Sequence, residues 1–259
     1  RVLLKASLGV DDAQLIVDSA RALSAEEGAR FASMIARRSR HEPVAYITGY
    51  REFWSLPIAV EPGVLVPRAD SETLIAVIAG RRSRDNPLRI LDLGCGSGAL
   101  LCALLHEFPH ASGIGIDSNP AAAALTNQNL RRHGFSARGR AVAGDWTAPI
   151  GAAFDIIVSN PPYIAETERG RLPHEVEGFE SPSALFAGPD GLAAFRRLAG
   201  LLPSVLAPAG LAVLEIGFDQ AAAARALFSV TFPGAPSSIA KDIAGRDRAL
   251  IIDLKEEAR

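Results

Sequence analysis

Cysteine and net charge are both scarce in this sequence. The 259 residues include two cysteines, Cys95 and Cys102, too few and too awkwardly placed for a disulfide framework, so a reducing, cytoplasmic setting is expected. Lys and Arg number 27 against 29 Asp and Glu; the net charge of −2 advertises no polyanionic partner, and direct nucleic-acid binding is not expected. Long apolar runs are missing too. The most membrane-like stretch, 201–218, contains Pro203, Pro208 and Gly210, which read as helix end, turn and strand, so no membrane association is expected. The opening RVLLKASLGV has a short apolar patch without a long h-region or cleavage site, and its first residue is Arg1 rather than Met, which leaves room for natural residues ahead of it. Against these absences stands an apolar content of 48%, ample for a sizeable core, in a chain comfortable for two domains. A monomer is expected.

Residues 1–40 carry apolar clusters at helical spacing and no strand-like run. Leu15, Ile16, Ser19 and Leu23 fit one stripe; Phe31, Met34 and Ile35 fit another. Ser24 with Glu27 is a capping-box start for the second helix. A small helical domain over 1–40 is therefore expected, then a linker or hairpin over 41–72, rich in proline and aromatic residues, and a larger domain over 73–259. From Leu88 the pattern alternates. RILDLG (89–94), GIGID (113–117), AVAGD (141–145), FDIIVSN (154–160) and LAVLEIG (211–217) are short β-rich runs, with helical stretches near 98–107, 120–133, 190–206 and 219–228 between and after them. Asn119–Pro120 opens one helix and Gly134 closes it. This alternation predicts an α/β fold with a mostly parallel sheet, and SSIAKDIAG with RALIIDL predicts a terminal antiparallel hairpin.

Asp92-Leu-Gly-Cys-Gly-Ser-Gly98 joins a strand to a helix. Gly94, Gly96 and Gly98, spaced by the small residues Cys95 and Ser97, let the backbone turn sharply and approach a ligand closely. The loop also satisfies a dinucleotide fingerprint, and Asp117, ending the next strand, suits the ribose hydroxyls of either cofactor. Asp92 favours one of them. Its carboxylate would repel a pyrophosphate but attract the sulfonium and ammonium of S-adenosylmethionine. Asp145 adds an acceptor for an adenine amino group; Trp146 offers an aromatic face, although core packing explains it equally well.

Asn160-Pro-Pro-Tyr163 follows the fourth strand, at the carboxyl edge where open α/β sheets bind ligands. A planar nitrogen is a poor nucleophile because its lone pair is delocalised. Two acceptors gripping its N–H groups hold it and return electron density to it; Asn160 can offer its side-chain oxygen and Pro161 its backbone carbonyl. Pro161 and Pro162 stiffen that geometry, and Tyr163 can stack on the planar group or favour a passing positive methyl. The motif alone permits a glutamine amide, adenine N6 or guanine N2 as acceptor.

His106-Glu-Phe-Pro-His110 matches H-E-x-x-H, but Pro109 would break the helix that a zinc site needs, so no metal is expected. Cys95 reads as a small loop residue rather than a nucleophile. Arg37-Arg38-Ser-Arg40 and Arg81-Arg82-Ser-Arg84 read as solvated basic faces.

Taken together, Glu42-Pro-Val-Ala-Tyr-Ile-Thr-Gly49, Arg51–Pro57, Val66-Pro-Arg-Ala-Asp-Ser-Glu72, Asp92–Gly98, Ser159–Tyr163, Leu214-Glu-Ile-Gly217 with Gln220, and Lys241-Asp242 resemble the HemK/PrmC family, the protein-(glutamine-N5) methyltransferases of peptide chain release factors. The resemblance implies a Rossmann-like class I methyltransferase sheet, S-adenosylmethionine as cofactor with S-adenosylhomocysteine as product, and a helical domain that docks the release factor. The target would be the glutamine of the factor's Gly-Gly-Gln loop. By position, the residues of Asp92–Gly98, Asp117, Asp145, Trp146 and Asn160 would meet the cofactor; Asn160 to Tyr163 would hold the glutamine, with Arg68 and Glu72 close by. Three departures stand out: Ala69 and Ser181 replace customary prolines, and the N-terminal domain is short at its start. The unpatterned stretch 164–189, with five glutamates, is expected to be a lid over the acceptor pocket. A nucleic-acid amino methyltransferase, a nicotinamide-dependent oxidoreductase and a non-catalytic binding module are the rival readings.

Overall fold

The computed structural model describes residues 1–148 and 150–255. Helices come first: α1 (Val2–Leu8), α2 (Asp12–Val17), α3 (Ala25–Arg38) and α4 (Val44–Thr48). The capping box forms, with Glu27 N donating to Ser24 Oγ (3.2 Å) and Ser24 N to Glu27 Oε2 (2.8 Å). The first apolar stripe does not. Helix α2 stops at Val17, so Ser19 and Leu23 lie beyond it, and Ile16 is 65% exposed. Six residues that bury nothing supply too little to extend the helix against its entropy cost.

The segment after α3 contains the unforeseen α4 and a hairpin, β1 (Tyr50–Phe53) and β2 (Leu56–Ala59). Its two-residue turn is Trp54–Ser55, both at positive φ (51° and 61°), a conformation that ordinarily selects Asn-Gly. Long-range bonds offset that cost: Trp54 N donates to Glu72 Oε1 (2.9 Å) and Trp54 Nε1 to Glu107 Oε2 (3.2 Å).

The larger part then runs α5 (Glu72–Arg81), β3 (Arg89–Leu93), α6 (Ala99–Glu107), β4 (Ser112–Asp117), α7 (Pro120–Arg132), β5 (Gly139–Ala143), β6 (Phe154–Ser159), α8 (His174–Glu177), α9 (Pro182–Leu185), α10 (Ala193–Val205), β7 (Leu206–Glu215), α11 (Ala221–Thr231), β8 (Ser237–Lys241) and β9 (Asp247–Asp253). Seven strands form one sheet in the order β5-β4-β3-β6-β7-β9-β8, parallel from β5 to β7 and antiparallel at β9 and β8. The mostly parallel sheet and closing hairpin are those expected from the alternation.

Both faces are covered, as a parallel sheet requires. Leu74 and Ile78 of α5 and Leu101 and Leu104 of α6 pack on Ile90, Val158 and Val213. Phe195 and Leu198 of α10 and Phe228 of α11 pack on Leu91, Ile157 and Leu214. Pro203 lies in the last turn of α10, as expected of a helix end, whereas Pro208 lies within β7, which begins at Leu206, and not in a turn. Pro203 costs little in the last turn, and Pro208 is tolerated because the β6–β7 register shifts between Phe154 and Ile156, leaving a bulge.

The basic runs are also not merely solvated. Arg82 is buried and pairs with Asp253 (2.8 Å), tying the end of α5 to β9, while Arg38 reaches Glu175 of α8 (2.6 Å) and Arg84 reaches Glu107 (2.8 Å). Helix α6 ends at Glu107, so His106 and His110 do not share a helix. Among the described residues no group of side chains has the makings of a metal site, and no helix is long and apolar enough to cross a membrane.

Candidate active site

Strands β4 and β5 extend from β3 to one side, and β6 begins the other half of the sheet, so the chain switches direction between β3 and β6. Such a switch point opens a crevice at the carboxyl ends of the two strands. Leu93 is paired with Ser159, which sets the glycine loop and Asn160 side by side there. A cavity of about 310 Å³ lies over them. Gly94, Cys95, Gly96, Ser97, Asp117, Asp145, Trp146, Asn160, Pro162 and Arg68 line it, together with Ser181, Ser183 and Ala184 from the 164–189 stretch. That stretch is folded into short turns and α8 and α9, and is pinned by Ile164 N donating to Leu185 O (3.0 Å) and Ala187 N to Ile164 O (2.8 Å).

The loop is held before any ligand arrives. Gly98 sits at φ 79°, and a Cβ there would meet Thr126 Cγ2 at 2.7 Å, so its glycine is required twice over. Gly96 N donates to Asp117 Oδ2 (2.8 Å), and Thr126 Oγ1 donates to Gly96 O (3.0 Å). Asn129 of α7, fully buried, donates to Ser97 O (2.8 Å) and brackets Ala59 of the hairpin through both N–H and C=O. Asp117 Oδ1 also accepts from Asn119 N (2.9 Å). Asp117 therefore fastens the loop and still fronts the cavity. Asp117→Ala is expected to weaken S-adenosylmethionine binding by one to two orders of magnitude, since charge-assisted bonds contribute about 1.5–3 kcal/mol each. Calorimetry giving an unchanged affinity would contradict that role.

Asp92 corrects the charge argument. It does not line the cavity; it is fully buried on the Ile90 face of β3, and neither carboxylate oxygen has a hydrogen-bond partner among the described residues. Strand alternation turns it away from the crevice. Burial, and secondarily the Asp117 carboxylate, push its pKa up to about 8. The same burial raises the Cys95 thiol and pushes Cys102 up to about 12, consistent with Cys95 as a loop residue rather than a nucleophile.

An aspartate at 3.8 when unfolded and about 8 when folded favours folding in its protonated form. Its contribution is complete below the unfolded value and is lost as pH rises through the folded one. Asp92→Asn removes that titration while keeping the shape. The variant's melting temperature relative to the parent should therefore climb between about pH 4 and about pH 8. A difference that stays flat across this range would rule out the buried-carboxyl account.

Asp145 and Trp146 stand at the far wall. Asp145 is already engaged by Arg197 of α10, which also lines the cavity, leaving Oδ1 as the freer acceptor. Trp146 is held at φ 50° and packs partly on the core below, so it serves wall and core at once.

Around Asn160 a polar chain emerges. Asn160 Nδ2 donates to Ser71 Oγ (3.1 Å), Ser71 Oγ donates to Glu215 Oε2 (2.5 Å), and Tyr163 OH donates to Glu215 Oε1 (3.2 Å). Tyr163 thus points into the protein and does not line the cavity, unlike the stacking expected of it. Burial and the neighbouring Glu215 raise its pKa, so it stays a neutral donor. Pro161 is buried and Pro162 fronts the cavity. Arg68 faces the cavity with Nη2 on the buried Glu180 (2.6 Å); Glu72 instead turns to the hairpin.

Residues 1–49 match the PrmC N-terminal domain and residues 69–175 the methyltransferase small domain. The release factor glutamine methyltransferase of Caulobacter vibrioides is 38% identical over 97% of this chain and 87% of its own length. That of Rhodospirillum rubrum is 40% identical over 97% of this chain and 77% of its own. The chain belongs to the release factor glutamine methyltransferase family. Its fold is also that of the ribosomal protein L11 methylase from Lactobacillus delbrueckii subsp. bulgaricus, at TM-score 0.54 and 21% identity over 77% of this chain and 86% of that one.

Several residues around this methyltransferase's cavity have no role that the sequence alone reveals: Ser71, Glu215, Asn129, Thr126 and Arg197. One signal was present for Glu215. A glutamate ending the apolar run of β7, at the carboxyl edge of a central strand, is a buried charge and therefore calls for a partner.

Proposed function

We propose that this protein transfers a methyl group from S-adenosylmethionine to the side-chain amide nitrogen of the glutamine in the Gly-Gly-Gln loop of peptide chain release factors, tuning translation termination. The observation that carries this reading is the orientation of Asn160. Its Nδ2 is committed to Ser71, and its Oδ1 has no protein partner among the described residues, at the rim of a cavity bordered by the glycine loop.

The cavity's chemistry fits the cofactor. Gly94 to Ser97 would border its amino-acid part, Asp117 would accept from ribose hydroxyls, and Asp145 and Trp146 would meet the adenine. When bound, S-adenosylmethionine supplies an electrophilic methyl on a positively charged sulfur. This chain's own work is positional. Asn160 Oδ1 and the Pro161 carbonyl accept from the two amide N–H groups, fixing the nitrogen and drawing its lone pair out of the amide plane's conjugation. No strong base is needed, because the nitrogen becomes acidic only as the new C–N bond forms; its proton then passes to solvent. Well-oriented reactants can lower a barrier by roughly 7–11 kcal/mol, which makes positioning a sufficient source of rate. Arg68, held by Glu180, borders the acceptor side, and the 164–189 segment would cover it as a lid. Residues 1–40 would dock the factor. The expected setting is the cytoplasm, with the enzyme a monomer that needs no metal.

Incubation with methyl-labelled cofactor and either a release factor or total RNA tests the substrate class. Label in the factor and none in RNA is expected; the reverse would move the reading to a nucleic-acid amino group.

A further inference from the structure

The acceptor role of Asn160 requires that its amide present oxygen rather than nitrogen to the incoming glutamine. Nothing in the shape of an asparagine enforces this, because its two ends are nearly isosteric. We propose that Ser71 and Glu215 are positioning residues that set the orientation of the Asn160 amide through hydrogen-bond polarity. This inference rests on the function proposed above.

The polarity of the chain is set from its buried end outward. Glu215 ends β7 next to β6, where Leu214 pairs with Ser159, and it is 1% exposed. As a carboxylate it can only accept. Tyr163 OH fills one oxygen and Ser71 Oγ the other, and Arg248, at the start of β9, supplies a nearby positive charge. Ser71 has one proton, and that bond uses it. Towards Asn160, Ser71 Oγ therefore has only lone pairs, so the group facing it must be the Nδ2 donor, as seen at 3.1 Å. A flipped amide would set two acceptors against each other in a place that is 3% exposed at Ser71, where water offers little relief. Oδ1 is thereby left for the cavity. Burial, the largest influence, leaves the Glu215 carboxyl above the usual carboxylate range even though Ser71, Arg248 and Tyr163 hold it down, so the donors around it are part of the device.

The test compares Ser71→Thr with Ser71→Val in the full-length enzyme. The two side chains share a shape and differ in the hydroxyl. Ser71→Thr should turn over within a few-fold of wild type. Ser71→Val should lose about 10–100-fold in kcat, the scale on which a misplaced reacting group costs rate, with cofactor affinity within a few-fold of wild type and a melting temperature lowered by the loss of the donor to Glu215. Equal turnover by the two variants would overturn the proposal. So would a Ser71→Val variant whose cofactor affinity falls in step with kcat, which would assign the hydroxyl to the cofactor cavity rather than to the Asn160 amide. Asn160→Ala separates the two levels. If it is inactive while Ser71→Val is normal, only the positioning role fails; if it is fully active, the reading of the site beneath it fails.

Discussion

Asn160→Ala is expected to lower single-turnover methyl transfer to a release factor by roughly 10²–10³, the usual cost of removing one positioned transition-state contact, while cofactor affinity stays within a few-fold. Alanine offers no acceptor, so the glutamine nitrogen rotates freely and keeps its lone pair in its own carbonyl. Asn160→Asp is the sharper probe. It retains an acceptor of nearly the same shape but adds a charge close to the cofactor's sulfonium, and it sets a second carboxylate against the Ser71 hydroxyl that already serves Glu215. Partial activity with tighter cofactor binding is the expected outcome. Near-normal transfer by the alanine variant would remove Asn160 from the mechanism.

Removing residues 1–40 is expected to abolish methylation of the intact factor and to leave cofactor binding in place. The cavity draws no lining residue from before Phe53, so the cofactor loses nothing directly. What is lost is a surface: α1 to α3, with Ile16, Val17 and Ile35 largely exposed, and the Arg38–Glu175 pair that links α3 to the segment bordering the acceptor side. Helix α4 and the hairpin remain, since Tyr46 packs on Val60 and Val66 and donates to Val64 O (2.6 Å). The measurement is cofactor binding by calorimetry alongside transfer to the factor. A truncated enzyme that methylates the factor at the full rate would refute the docking role.

How far these features could be read in advance depended on how local their causes are. Strands β3 to β6 announced themselves because buried parallel strands are continuous apolar runs that end on Gly, Asp or Asn, and helices α3 and α7 because their caps lie within three residues of the first turn. The Trp54–Ser55 turn could not be read this way; its positive φ angles are stabilised by Glu72 and Glu107, far along the chain. The same holds for Ser71 and Glu215, which meet across 144 residues of sequence. Glu215 stands out locally as a charge ending an apolar run, but Ser71 does not, and only the fold brings the two together under Asn160.

Asp92 shows a different failure. Its charge suits an attraction for the cofactor, yet alternation along β3 sets it on the Ile90 face, away from the crevice. Tyr163 follows the same lesson. Its ring was expected against the substrate, but its hydroxyl has a buried carboxylate to satisfy, and that requirement turns it inward. The parts of the site made of backbone and short motifs were legible; the parts made of buried hydrogen-bond obligations between distant strands were not.

The central claim is that the acceptor is a glutamine amide held by Asn160. Its most direct test is a single-turnover reaction of the wild-type enzyme with a release factor, followed by tandem mass spectrometry to locate the methyl. The account predicts one added methyl on the side-chain nitrogen of the Gly-Gly-Gln glutamine, absent when Asn160→Ala replaces the wild type. A methyl on any other atom, or the same modification at the same rate from the alanine variant, would contradict it.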